Sequence, residues 1–342
     1  MKQLGICPLP FNQLYLHSSG EVYPCGFLQG RHSLGNINKM SFSQIWNSYT
    51  ATEFRDSHKL KNNKHCGKCQ KLYNCHLLHD NMWQRSGEND QYKLKRLDIM
   101  IDSFCNLKCI MCTNRSEVND SFSDENFWVD FEHNLLPELE EIELVGGEPL
   151  IIKETYRLFD LVLKVNPKVR IVLTTNGHLE LSDKIKSYIT KLNFYAISVS
   201  IDSLSPKKFE KIRVNGKLEK SLKFLFQLKE LKETSQLKFY LNCNFLIQKQ
   251  NWEELQDFLE FELKHGIKVY PILLREPTKF SILDFNPTEL LNVFDEYINL
   301  SKNNSNLYLK NILSKISKSI PKRHLLSRIA LLEEIVNHDR KV

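Results

Sequence analysis

The alternation of apolar and polar positions changes character near Arg96. Beyond it, short β-rich apolar runs alternate with longer segments whose apolar residues recur at helical spacing, the pattern of successive βα units around a parallel sheet. Strands are predicted at Arg96–Asp102, Glu141–Val145, Arg170–Thr175, Phe194–Asp202, Lys238–Leu246 and Lys268–Leu274. Helices are predicted near Asp124–Leu136, Lys153–Val165, Ser182–Thr190, Ser205–Ile212 continuing through Lys217–Lys232, and Trp252–His265. Six units are too few for the closed eight-stranded barrel. The expected fold is therefore α/β, an open, partial (β/α)6 TIM-like barrel whose gap is covered by other parts of the chain.

The front of the chain follows a different pattern. Short alternation at Gln13–His17, a Ser18-Ser19-Gly20 turn and Glu21–Cys25 predict a β-hairpin, followed by a helix carrying Ser43, Ile45, Trp46 and Phe54. Asp80–Tyr92 is polar, contains Ser86-Gly87 and reads as a linker. Beyond Pro277 the chain turns Asn-, Lys- and Leu-rich with helical periodicity. Three parts are expected: residues 1–85 as a small Cys-rich α+β domain, 86–278 as the barrel, and 279–342 as a helical carboxyl-terminal extension.

Composition narrows the function. With 342 residues, 42% of them hydrophobic, the chain can bury a sizeable core. Its formal charge of +6, from 47 basic and 41 acidic residues, is spread widely and lacks the basic stripe of a nucleic-acid binder. The first residues do not read as a secretion signal, and no apolar run approaches the roughly 18 residues of a membrane span. No nucleic-acid or membrane partner is expected, and the expected location is the cytoplasm. Oligomeric state leaves no signal. Of nine cysteines, eight fall in two close-spaced groups, which points to metal or cluster ligation. Cys243, alone in the fifth predicted strand, reads as a small buried residue.

The first group is Cys105-x3-Cys109-x2-Cys112, directly after the first strand. Three thiolates on one loop can bind three irons of a four-iron cluster and leave the fourth open, and catalytic metal sites keep such a position open. A zinc site completed by a distant ligand, such as Cys243 or a histidine, is the alternative. Gly146-Gly147-Glu148-Pro149 and Thr174-Thr175-Asn176-Gly177 also fall at carboxyl ends of predicted strands, where barrels of this type place their functional loops.

The run Cys105-Asn106-Leu107-Lys108-Cys109-Ile110-Met111-Cys112 resembles the signature of the radical S-adenosylmethionine (SAM) superfamily, and the resemblance extends over about Arg96 to Leu274. It implies a SAM-binding 4Fe-4S cluster on Cys105, Cys109 and Cys112, and S-adenosyl-L-methionine as cofactor on the open iron. It also implies reductive cleavage to a 5′-deoxyadenosyl radical that removes a substrate hydrogen. Met111 would then lie against adenine, although it could equally be packing. Gly146 and Gly147 would bring backbone groups to the methionyl ammonium, and Glu148 would support that group or hold the loop. Ser200 would bond the ribose, since alternation that buries Val199 and Ile201 turns Ser200 and Asp202 to the opposite face. The Thr-Thr-Asn-Gly run is read as a turn without chemistry.

The second group, Cys7, Cys25, Cys66, Cys69 and Cys75, resembles the SPASM and twitch domains that accompany many such enzymes, here placed before the barrel instead of after it. Five thiolates cannot complete two clusters, which need about eight ligands. One auxiliary 4Fe-4S cluster is expected on Cys7, Cys25, Cys66 and Cys69, with Cys75 competing as fourth ligand; a structural zinc knuckle is the alternative. His65, His76 and His79 are given no role. The expected activity is that of a radical SAM oxidoreductase, with a small-molecule substrate such as a sugar or alcohol slightly favoured over a peptide, and an electron donor such as flavodoxin or ferredoxin. A non-catalytic zinc or iron-sulfur protein is the competing class. No general acid or base stands out.

Overall fold

The computed structural model describes residues 7, 9–59, 93–113, 122–302, 307–321 and 325. One nine-stranded sheet runs through it. The strands are β1 (Gln13–Leu16), β2 (Glu21–Tyr23), β3 (Gly35–Asn36), β4 (Arg96–Met100), β6 (Glu141–Val145), β7 (Arg170–Thr175), β8 (Phe194–Ser200), β10 (Tyr240–Ile247) and β11 (Lys268–Leu273), in the order β11-β10-β8-β7-β6-β4-β1-β2-β3. Neighbours from β4 to β11 all pair in parallel, as six βα units require. A separate pair, β5 (Lys108–Cys109) and β9 (Arg213–Val214), is antiparallel.

The six strands and the helices between them lie where the apolar pattern puts them. Lys153–Val165 matches its expected bounds, and Asp183–Lys191 starts after Ser182, whose side chain accepts from the Ile185 N–H as an N-cap. Two helices depart from expectation. Glu125–Asp130 passes into a π-helical turn at Phe131–Leu135 and a 3-10 turn at Leu136–Glu138, where Pro137 cannot continue an α-helix. The helical stretch after Ser205 is interrupted: Pro206–Ile212 and Leu218–Thr234 are separated by β9 and by Asn215 at φ 70°.

The sheet has one apolar and one polar face. Leu14, Leu16, Leu97, Ile99, Ile142, Leu144, Ile171, Leu173, Ile197, Val199, Phe245 and Val269 are buried in the main core with helix residues such as Leu158, Phe159, Ile185, Phe224 and Phe258. Cys243 sits in that core without exposure, as expected of a buried small residue. The alternate positions, among them Gln13, Tyr15, Arg96, Asp98, Glu141, Glu143, Ser198 and Asn242, carry polar groups on the inner face. A period of two along each strand forces this division.

The expected hairpin is present, but it belongs to the same sheet as the barrel: β1 pairs antiparallel with β2 and in parallel with β4, Leu14 opposite Leu97 and Tyr15 opposite Asp98. The continuity crosses the expected boundary near residue 85. At the other edge, Tyr308 of the helix Leu307–Ser319 meets Tyr270 of β11 edge-on at 4.7 Å, so the carboxyl-terminal helices flank the open side. No helix among the described residues is long and apolar enough to cross a membrane.

Candidate functional site

The cysteine loop leaves the carboxyl end of β4 and is anchored by backbone. Cys109 lies opposite Arg213 in the β5–β9 ladder, the Ile110 N–H donates to the Ile212 carbonyl (2.9 Å), and the Cys112 N–H to the Cys109 carbonyl (3.2 Å). Cys105 and Cys109 are half-buried and Cys112 is exposed. Cys105 Sγ accepts from the Leu107 N–H (3.4 Å) and from Asn176 Nδ2 (3.5 Å). Burial pushes the Cys105 thiol up and that of Cys109 to about 11; the Leu107 N–H opposes the first and the Arg213 guanidinium the second. Among the described residues no three His, Cys, Asp or Glu side chains are grouped as for a metal ion.

The Gly-Gly-Glu-Pro loop after β6 is laid directly on the backbone that launches the cysteines. Gly147 N–H donates to the Asp102 carbonyl (3.0 Å) and Glu148 N–H to the Phe104 carbonyl (2.9 Å). A Cβ on Gly147 would stand 1.9 Å from the Phe104 oxygen, and Gly146, at φ +119°, would place one 2.6 Å from Met100. The two glycines are required by this close approach of two loops.

Glu148 is fully buried and holds a third loop in place. Its carboxylate accepts from Asn176 N–H (2.7 Å), Thr175 Oγ1 (2.8 Å) and Leu150 N–H (3.1 Å). Burial raises its pKa against the pull of these donors. Of the two roles considered for Glu148, loop support is the one with visible partners. The Thr-Thr-Asn-Gly run, read from sequence as a plain turn, carries the residue that sequence reasoning missed: Asn176 Nδ2 bonds Cys105 and also Asn106 Oδ1 (2.8 Å).

Two further residues were given no role from the sequence. Asp202, fully buried, pairs with Arg213 Nε at 2.8 Å and accepts from the Leu246 N–H at 3.1 Å, while Arg213 Nη1 lies 4.0 Å from Cys109 Sγ. A single Arg between two predicted helical stretches carries no signal of this. Ser200 ends β8 half-buried on the inner face, with Val199 and Ile201 turned into the core as alternation demands. Met111 packs with Ile212 and Leu274 in a small apolar cluster. Cys7 and Cys25 are half-buried in the front segment; Cys66, Cys69 and Cys75, with the linker and His65, His76 and His79, lie outside the described residues.

Comparison with known proteins finds two family matches along the chain. Residues 7–70 match the model of the SPASM iron-sulfur cluster-binding domain, and residues 99–261 that of the Radical SAM superfamily. The GTP 3′,8-cyclase of Clostridium botulinum strain Hall is 29% identical over 184 residues, covering 52% of this chain and 55% of that protein. A probable GTP 3′,8-cyclase of Methanocaldococcus jannaschii is 30% identical over 176 residues, 49% of this chain and 55% of that one. The chain thus spans about half the length of the curated relatives it matches. Among solved structures, Streptococcus suis SuiB bound to S-adenosylmethionine is 17% identical, with 75% of this chain and 60% of that chain covered and a TM-score of 0.45.

Proposed function

We propose, on the premise that this chain belongs to the radical SAM superfamily and carries a SPASM-type domain at its amino end, that it removes hydrogen from a small-molecule substrate held on the inner face of its sheet. The carrying observation is the junction of three loops at the carboxyl ends of β4, β6 and β7, where the Gly147 backbone is bonded to the segment that leads into the cysteine run, Glu148 holds the Asn176 backbone, and the Asn176 side chain is bonded to Cys105. Such an enzyme uses a 4Fe-4S cluster with S-adenosylmethionine, and the SPASM-type domain implies auxiliary iron-sulfur ligation.

In donor chemistry, three free thiols in one close-spaced run, the site fits this group. A single tetrahedral ion with sulfur bonds of about 2.3 Å needs its thiolates close together, whereas a cube seats each on a separate iron. Cys105, Cys109 and Cys112 would hold the cluster, with Arg213 offsetting negative charge beside Cys109 and Asn176 fixing Cys105. When bound, cluster and cofactor supply one-electron cleavage of a carbon–sulfur bond and with it hydrogen abstraction. The protein's own share is positioning and exclusion of water. Glu148 locks the β6 and β7 loops; Gly146 and Gly147 would present backbone groups to the methionyl end, Ser200 would bond the ribose, and Met111 would close the apolar wall toward adenine. In the front segment Cys7, Cys25, Cys66 and Cys69, or Cys75 as the fourth, would hold one auxiliary cluster. An electron donor of the flavodoxin or ferredoxin kind would reduce the SAM-binding centre.

A nucleotide named as substrate of the curated relatives supports a small molecule here, although their match spans only part of each chain. The test is iron and sulfide quantification on anaerobically purified protein with product analysis after reduction. About eight irons with 5′-deoxyadenosine formation is the expected result. Stoichiometric zinc without cofactor cleavage would overturn the reading in favour of a metal-binding protein.

A further inference from the structure

The inner face of the sheet carries, at the seam between hairpin and barrel, two rows of side chains fixed by strand register. The first row is Gln13, Arg96, Glu141 and Arg170, each opposite the next. The second, one step nearer the cysteine loop, is Tyr23, Tyr15, Asp98 and Glu143. Charge is unevenly divided between them. In the first row Glu141 pairs with Arg96 (2.5 Å) and Arg170 (3.2 Å). The second row has two carboxylates and no cation of its own, and both reach back to the same Arg96, Asp98 at 2.8 Å and Glu143 through Arg96 Nη2. Three carboxylates thus face two guanidiniums.

Two more observations identify what is missing. Gln13, only 2% exposed, donates from Nε2 to Asp98 (2.5 Å), yet its Oε1 is buried without a hydrogen-bond partner. A buried acceptor left unmatched inside an acid-rich cluster asks for a donor. The tyrosine rings stand 6.4 Å apart beside these carboxylates, with Met100 and Val145 completing an apolar wall. Aromatic faces next to carboxylates recognise organic cations. Glu143 keeps 26% of its side chain exposed, so solvent reaches the row at that residue, while Tyr15, Tyr23 and Asp98 lie behind it.

We propose that Tyr15, Tyr23, Asp98 and Glu143 form a site for an organic cation, the primary ammonium or guanidinium group of the substrate. This deepens the reading of the inner face as the substrate surface and rests on it for the word substrate; the binding itself does not depend on it. Burial, with Asp98 and Glu141 nearby, lifts Glu143 to about 7 against the pull of Arg96. Cation binding therefore tightens as pH rises through that value, because the ionised carboxylate is the binding form. The titratable groups facing it are Tyr15 on β1, Tyr23 on β2, Arg96 and Asp98 on β4, and Glu141 on β6.

The test is saturation-transfer NMR on the anaerobically prepared full chain with n-pentylamine and 1-pentanol as probes. The amine is expected to bind at least about tenfold more tightly than the alcohol, a difference of about 1.4 kcal/mol. Glu143→Gln is expected to remove that preference, and Asp98→Asn to weaken it. Equal binding of amine and alcohol to the wild-type chain overturns the site even if both variants fail to fold. Displacement of pentylamine by agmatine assigns a free small amine, displacement by an Ala-Lys-Ala peptide assigns a peptide side chain, and displacement by neither overturns the proposal. Cofactor cleavage is scored separately: amine preference without cleavage sinks the radical reading and keeps the site, and cleavage without amine preference does the reverse.

Discussion

At the scale of single residues, what distinguishes this site is how little room it leaves. Gly147 touches the Phe104 carbonyl so closely that Gly147→Ala must push apart the two loops it joins. The expected outcome is loss of the triplet's irons, about four per chain, with helix content retained; iron analysis beside circular dichroism reads this, and an unchanged iron count would contradict it. Glu143 gives a pH effect with a definite sign. Its pKa rises from 4.5 to about 7 on folding, so the native state holds more protons than the unfolded chain within that window, and stability falls as pH rises through it. Glu143→Gln should flatten this decline. Thermal melts of both proteins on either side of the window check it, and equal slopes would show that the carboxyl is not responsible.

Among the elements, the β5–β9 ladder does the most with the least sequence. Two residues on each side tie the cysteine loop to the segment after Ile212, and the buried Arg213–Asp202 pair locks that segment to the ends of β8 and β10. Removing one partner leaves the other charge buried and alone, so Arg213→Met should cost about 3 kcal/mol or more. Adding Asp202→Asn should recover part of the loss. Denaturant titrations of the single and double variants measure this, and additive losses would refute the pairing. The helix-bearing units were legible because period 3.6 and period 2 repeat over many residues. The ladder was not, since two residues contain no period, and its partner lies 104 positions away.

Across the whole molecule, the front segment and the barrel share one sheet. Removal of residues 1–85 should therefore bare the edge of β4 and the acidic inner row, giving aggregated protein on size-exclusion chromatography; a soluble, monodisperse 86–342 fragment would argue for an independent barrel. The two cysteine groups should separate by function. Cys109→Ala is expected to abolish cofactor cleavage and leave the front centre's absorbance, whereas Cys25→Ala is expected to spare uncoupled cleavage and damage substrate turnover. Absorption spectra and 5′-deoxyadenosine assays distinguish them, and undiminished cleavage by Cys109→Ala would refute the triplet's role. The sequence by itself determined the six βα units, the hairpin and the place of Cys105, Cys109 and Cys112 just after β4, because periodicity and close-spaced ligands are local properties of a chain. Only the tertiary structure decided that Asn176, Arg213 and Asp202 gather at those cysteines, and that Tyr15 and Tyr23 face Asp98 and Glu143. Pairing register and burial bring together residues far apart along the chain, and no local pattern records which of them will meet.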